Sequence, residues 1–141
     1  MAWNEAIRSI TLEADSSIGI YTGVPGTPGA ASPNGGKQYY FVSVVGDKTA
    51  GLADDNDTKH KVIGVLQNKP QAVGEAAQVA IRGVTLVVAG SGGLAAGRAV
   101  KVDSTGKGVN ATIGTDAENL IVGVVLSAAA AGGLASVLLQ N

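Results

Sequence analysis

The chain has 141 residues, a length that accommodates one compact domain. It contains 21 glycines and 22 alanines, five aromatic residues, 10 basic and 11 acidic residues, one histidine and no cysteine. The balanced charge gives no nucleic-acid footprint, and the absence of cysteine excludes disulfides, thiolate catalysis and cysteine-ligated zinc. Alanine and glycine bury little apolar area, so we expect such a domain to gain stability from self-association or from a larger binding partner.

The first quarter of the sequence combines weak strand signals with a segment rich in proline and glycine. Residues 6–12 alternate apolar and polar side chains and predict a strand, and residues 17–22 predict a shorter one. Three prolines exclude a helix or a central strand from residues 23–36. We therefore expect residues 1–36 to form a flexible N-terminal arm and residues 37–141 to form a compact β domain.

Strand signals separated by turns continue to the C-terminus. Aromatic and β-branched residues predict a strand at 37–45, and residues 47–61 follow as a charged, polar loop. Further strands are predicted at 62–66, 76–82, 84–89, 98–103, 120–126 and 134–139, with a bulge or bend at Gly83 and at most one helical turn at 94–97. The predicted fold class is all-β, a small β-barrel or β-sandwich-like domain.

The twenty residues from Leu120 to Leu139 carry no charge. An uncharged run of this length is long enough to span a membrane as a helix. However, no Lys, Arg or aromatic residue flanks them, and a pair of glycines interrupts them. Residues 121–124 also echo residues 62–65, Ile-Val-Gly-Val against Val-Ile-Gly-Val, at an offset of 59. We therefore predict a pair of strands here rather than a membrane anchor.

No motif in the sequence supports catalysis, a cofactor or a metal. Residues 90–95 fit a dinucleotide-binding pattern, but a turn and a strand follow instead of the long helix that the pattern needs. The acidic residues 54–57 lack the glycine and glutamate of a calcium loop, and His60 lies between two lysines. The aromatic run 39–41 indicates core anchors, because no basic groove accompanies it.

Trp3 falls outside any core pattern of the sequence. Because aromatic residues are enriched at interface hot spots, a contact with a partner is one interpretation. Packing of Trp3 on its own domain is the other.

Three segments of the sequence resemble the small capsid cement or head decoration proteins of tailed bacteriophages. The resemblance covers more than half of the chain, and Arg98 departs from it where an acidic residue is frequent. The matching residues are Gly64-Val65, Gly74-Glu75, Val79-Ala80-Ile81 and Gly83 in the first segment, Gly97-Arg98 and 103–106 in the second, and Gly123-Val124 and Val137-Leu138-Leu139 in the third.

This resemblance implies a non-enzymatic virion protein, without a cofactor, on the outer surface of an assembled head. It implies two partners, the major capsid protein and further copies of the chain in a homotrimer, and neither nucleic acid nor membrane. An arm that orders by strand addition would contact the capsid, and its candidate contacts are Trp3, Ile7, Ile10 and Leu12. Two alternatives remain, a phage tail or baseplate module and a small β-barrel that binds a ligand or serves as an accessory domain.

Overall fold

A computed structural model describes residues 7–19, 36–117 and 120–140. Turns connect the strands in these ranges, and no α-helix occurs in them. The all-β prediction is confirmed. The nine strands are β1 (Arg8–Ala14), β2 (Phe41–Gly46), β3 (Thr49–Leu52), β4 (Val62–Leu66), β5 (Ala76–Val88), β6 (Ala99–Val102), β7 (Gly108–Ala111), β8 (Ile121–Ser127) and β9 (Leu134–Leu139).

The first five strands close into a five-stranded β-barrel. β1 pairs in parallel with β3, β3 pairs with β2, and β2 pairs with β4, the last two pairings being antiparallel. β4 then pairs with the first half of β5, and the ring closes because β1 pairs antiparallel with that same half, from Arg8 opposite Arg82 to Glu13 opposite Ala76. Residues 8–14 of the predicted arm therefore belong to the barrel.

The second half of β5 begins a second ring with the same order of strands. It pairs with β9, β9 with β8, β8 with β6 and β6 with β7, all antiparallel. A parallel bridge between Ala89 and Gly108 brings β7 back beside the end of β5. The strands β2, β3 and β4 of the first ring thus correspond to β6, β7 and β8 of the second, and the echo between residues 62–65 and 121–124 falls on the equivalent strands β4 and β8.

β5 runs through both rings as one strand of 13 residues. The sequence predicts two strands here, at 76–82 and 84–89, and the structure corrects this. Gly83 has a φ of 95°, a conformation that glycine adopts without steric cost, and it lies where β9 replaces β1 and β4 as the partner of β5. The bend predicted at Gly83 therefore changes the partners of the strand without ending it.

The apolar core has two parts. The larger cluster draws on both rings and includes Phe41, Val65, Val87 and Val137, all fully buried. The smaller cluster fills the first barrel and includes Ile18, Leu66 and Val79, with Leu12 packed against it. The prediction that the aromatic run anchors the core holds for Phe41, which is fully buried, and for Tyr39, which packs against the larger cluster.

The sequence does not predict β3 and β7. β3 lies within the predicted polar loop at 47–61, and β7 follows the predicted turn at 104–108. Conversely, residues 16–19 form turns instead of the strand predicted at 17–22, and the rest of that prediction lies outside the described residues. Residues 95–98 form a turn in place of a helical one, with the amide of Arg98 donating to the carbonyl of Ala95 at 3.2 Å.

Residues 121–127 and 134–139 of the uncharged C-terminal run form β8 and β9, as predicted, and pair with each other. In the described part of the chain, no helix is long and apolar enough to cross a membrane.

A candidate interaction face

The outer surface of the second ring carries an uncharged apolar face. Val84, Leu138 and Val124 lie opposite one another across β5, β9 and β8, so their side chains share one side of the sheet. Val88 and Leu134 form a further opposed pair on the same side. We define the apolar face as seven residues, Val84, Leu86, Val88, Val124, Leu126, Leu134 and Leu138.

Alternation along each strand explains why this face points outward. Val87, Val125 and Val137 alternate with its members and lie in the core, at most 1% exposed. The members between them remain at the surface, and Leu86, Leu126 and Leu134 are 36%, 38% and 47% exposed. In most half-buried sheets the outward positions are polar, so an apolar outer face marks a contact surface.

Charges lie at the margin of the apolar face. On β6, Lys101 lies opposite Ile121, and its ammonium is 2.5 Å from the Oδ1 of Asp116. The hydrogen bond from Lys101 and a second from the amide of Thr112 lower the pKa of Asp116 below the usual carboxyl range. Asp116 thus stays ionised, and the pair presents little net charge beside the face.

A groove of about 230 Å³ borders the apolar face. Its lining consists of Ile7, Tyr39, Gln67, Val84, Thr85, Leu86 and Ser136. The amide of Gln67 donates to the buried hydroxyl of Thr85 at 2.8 Å and to the carbonyl of Val65 at 3.0 Å. Every buried side-chain polar atom in the described ranges has such a partner, so the floor of the groove is polar but satisfied.

The four predicted contact residues fall in different places. Ile7 is 44% exposed and lines the groove, and Ile10 is 38% exposed on β1. Leu12 is half-buried against the smaller core cluster, so part of its side chain serves the barrel. Trp3 lies outside the described residues. The structure thus brings none of the three described residues onto the apolar face, although Ile7 adjoins it through the groove.

The residues considered for chemistry form local surface contacts. His60 Nδ1 is 2.6 Å from Asp57 Oδ2, and backbone and side-chain hydrogen bonds from Lys59 and His60 lower the pKa of Asp57. The carboxylate of Asp54 accepts a hydrogen bond from the amide of Asn56 at 2.8 Å, which closes a local turn. Within the described ranges, no cluster of three or more potential metal ligands occurs.

Comparison with known proteins decides the family. The family model for phage cement proteins matches residues 38–140, which is well over half of the chain. The chain belongs to the phage cement protein family. It is therefore a structural protein associated with the phage head, and the resemblance seen in the sequence is confirmed.

A solved structure shows the same fold as this phage cement protein. The crystal structure of the N base of the head fibre gp8.5 in bacteriophage phi29 matches with a TM-score of 0.58 and 18% identity, over 96% of this chain and 95% of that one. No curated protein sequence matches this one.

Proposed function

We propose that this cement protein binds the outer surface of an assembled phage head through its apolar face and stabilises contacts between major capsid subunits. It acts by binding, without catalysis or a cofactor. The observation that carries the proposal is the uncharged apolar face on the second ring of a member of the cement family.

The physical basis is the removal of this face from water. Burial of apolar surface contributes about 25 cal/mol per Å², and Leu86, Leu126 and Leu134 each still expose a third or more of their area. One such contact is modest, because association costs translational and rotational freedom. A phage head offers many equivalent binding sites on one particle. If copies of the protein are linked to one another, several weak contacts act together, and the overall affinity exceeds that of a single contact.

Self-association as a homotrimer supplies this linkage in the proposal. Ile7 adjoins the apolar face through the groove, and Ile10 lies on β1 of the first barrel. Both offer further contacts together with Trp3 and the exposed part of Leu12. A trimer would present three apolar faces to neighbouring capsid subunits at once, so that partial release of one copy leaves the others bound.

The proposal is tested by adding the purified protein to mature heads that lack it and measuring binding by co-sedimentation. Leu126→Asp and Leu134→Asp should each weaken binding by at least about tenfold, because a charge enters a surface that must lose its water. Thr11→Asp is the matched control, since Thr11 is exposed on the first barrel opposite Gln78. Unchanged binding by both leucine variants would contradict the proposal.

Light scattering on the same variants separates the capsid contact from self-association. We expect the mass in solution to remain that of the unmodified protein. If the unmodified protein is a trimer and the leucine variants are monomers, the apolar face joins copies of the chain and does not bind the head. Removal of β1 is unsuitable as a test of the arm, because β1 closes the first barrel; Ile10→Asp tests that surface instead.

A further inference from the structure

Two lysines that are distant in the sequence lie together where the segment before β2 meets the end of β4. The amide of Tyr39 donates to the carbonyl of Leu66 at 2.7 Å, which lays this segment along the end of β4. A Cβ at Gly36 would lie 3.8 Å from the Cδ of Lys69, an ordinary van der Waals distance. The side chain of Lys69 therefore lies against the main chain directly before Lys37.

A third lysine reaches the same place from the second ring. The amide of Phe41 donates to the carbonyl of Gly106 at 2.8 Å, so the hairpin between β6 and β7 contacts the start of β2. Partial burial and, after it, the charge of the nearby Lys107 lower the pKa of Lys37. We define the lysine site as Lys37, Lys69 and Lys107, which three separate segments bring to the junction of the two rings.

The ammonium group of Lys37 is held in position. It lies 4.7 Å from the centroid of the Tyr40 ring, within the range of a cation–π contact. The amide of Tyr40 donates to the carbonyl of Lys37 at 3.1 Å and closes a turn. Within this turn Tyr39 has a φ of 69°, a left-handed conformation that is uncommon for an aromatic residue. Residues strained in this way cluster at ligand clamps, where the surrounding structure enforces them.

The charge of the lysine site favours an anionic partner. Ammonium groups held near one another disfavour their own charged forms, and a carboxylate close to them offsets that cost. Within the same hairpin, the carboxylate of Asp103 serves the turn, because its Oδ1 accepts from the amides of Thr105 and Lys107 at 2.8 and 3.0 Å. The whole chain has 10 basic and 11 acidic residues, which does not suit the long phosphate backbone of a nucleic acid. Carboxylates of a protein partner fit so local a positive charge.

The lysine site adjoins the apolar face. The amide of Val88, a member of the face, donates to the carbonyl of Tyr39 at 3.0 Å, two residues from Lys37. Protein interfaces commonly surround an apolar centre with a rim of polar and charged groups. The position of the lysine site is that of such a rim.

We propose that the lysine site binds carboxylate groups of an acidic segment on the head surface, next to the area that the apolar face covers. The inference rests on the proposed function and adds the chemistry of the partner at the edge of the contact. In this arrangement the apolar face supplies most of the affinity, while the lysines speed and orient docking and make it sensitive to salt.

Head binding at low and high salt tests the proposal. Lys37→Met and Lys107→Met should each weaken co-sedimentation with heads about threefold to fivefold at low salt, the size expected for one exposed charge pair. The difference should vanish at high salt, because screening removes the contribution from the unmodified protein as well. Lys61→Met is the matched control, since it removes the same charge from an exposed position in the loop before β4. If all three variants weaken binding equally, net charge alone matters and the proposal is overturned.

A measurement on the free protein separates this inference from the proposed function. We expect a hexaglutamate peptide at low salt to shift the side-chain NMR resonances of Lys37 and Lys107, and Lys107→Met to weaken its binding about threefold. Lys61→Met should leave peptide binding unchanged. Equal binding of the peptide by all variants, or tighter binding of a single-stranded DNA oligomer, overturns the proposal. Unchanged head binding by the leucine variants contradicts the proposed function instead, so the two failures are distinguishable.

Discussion

The two rings of this protein share their architecture but differ in their outer surfaces. Five strands in the same order build each ring, and in each a parallel contact completes the circle. On the first barrel the outward positions include Arg8, Thr11, Glu13 and Gln78, all exposed and polar. On the second the corresponding sheet presents the apolar face. The fold therefore constrains the interior of both rings, whereas the outward positions of the second ring carry apolar side chains where those of the first are polar.

One interior feature recurs at equivalent positions. A side chain at Gly64 of β4 would collide with the carbonyl oxygen of Ala80 on β5, and one at Gly123 of β8 would collide with that of Leu138 on β9. Each glycine allows two backbones to approach closely, which is why the same residue type stands at the same place in the two matching sequence segments.

The largest expected effect concerns these two glycines. Gly64→Ala and Gly123→Ala should each lower the free energy of unfolding by about 1–3 kcal/mol, because the added methyl group forces the paired strands apart. Chemical denaturation followed by circular dichroism measures this. Gly46→Ala is the control, since a methyl group there would meet Thr49 at an ordinary 3.6 Å. A large loss in only one of the two glycine variants would show that the rings are not equivalent inside.

An intermediate effect is expected in the hairpins that join the equivalent strand pairs. Between β6 and β7, Oδ1 of Asp103 accepts hydrogen bonds from the amide and hydroxyl of Thr105, both at 2.8 Å, and from the amide of Lys107 at 3.0 Å. Asp103→Ala should cost about 1–2 kcal/mol of unfolding free energy.

The matching hairpin between β2 and β3 supplies the control for Asp103. There the exposed Asp47 contributes its main-chain carbonyl to the hydroxyl of Thr49. Asp47→Ala should therefore stay within about 0.5 kcal/mol of the unmodified protein, as surface substitutions commonly do. Equal losses at Asp103 and Asp47 would mean that the side-chain bonds of Asp103 contribute nothing specific to the second ring.

The smallest expected effect is a dependence on pH at the margin of the apolar face. Lys101 lowers the pKa of Asp116 in the folded protein, so the pair stabilises the fold at pH values above the ordinary carboxyl pKa of about 3.9. This stability is lost as the pH falls through the lowered pKa. Asp116→Asn should flatten the pH dependence of the unfolding midpoint between neutral and acidic pH. An unaltered profile in Asp116→Asn would show that the pair is without effect.

The residue pattern predicts those strands whose own residues have a high β propensity. β4 and β9 have the predicted bounds, because β-branched and leucine residues dominate both and glycine or polar turns flank them. β3, with the sequence Thr-Ala-Gly-Leu, and β7, with Gly-Val-Asn-Ala, lack such a signal. They become strands because a hairpin places them beside β2 and β6, a non-local cause that propensity cannot reveal.

The candidate site is likewise predictable from the sequence only in part. The uncharged run at 120–139 indicates an apolar surface, and β8 and β9 contribute four of the seven face residues. Only the register shows that Val84, Leu86 and Val88 join them on the same side. The groove was not predictable from the sequence, because it depends on where β1 begins and on the hydrogen bond from the amide of Val88 to the carbonyl of Tyr39, which is distant in the chain.

The continuity of β5 has a mechanical consequence. Its 13 residues are held by β1 and β4 at one end and by β9 at the other, so a force applied to one ring is carried along a covalent backbone into the second. To separate the rings, the load must strip hydrogen bonds from β5 along its length instead of opening a flexible linker. For a structural protein of a phage head, such a continuous strand is a rigid link between the two rings.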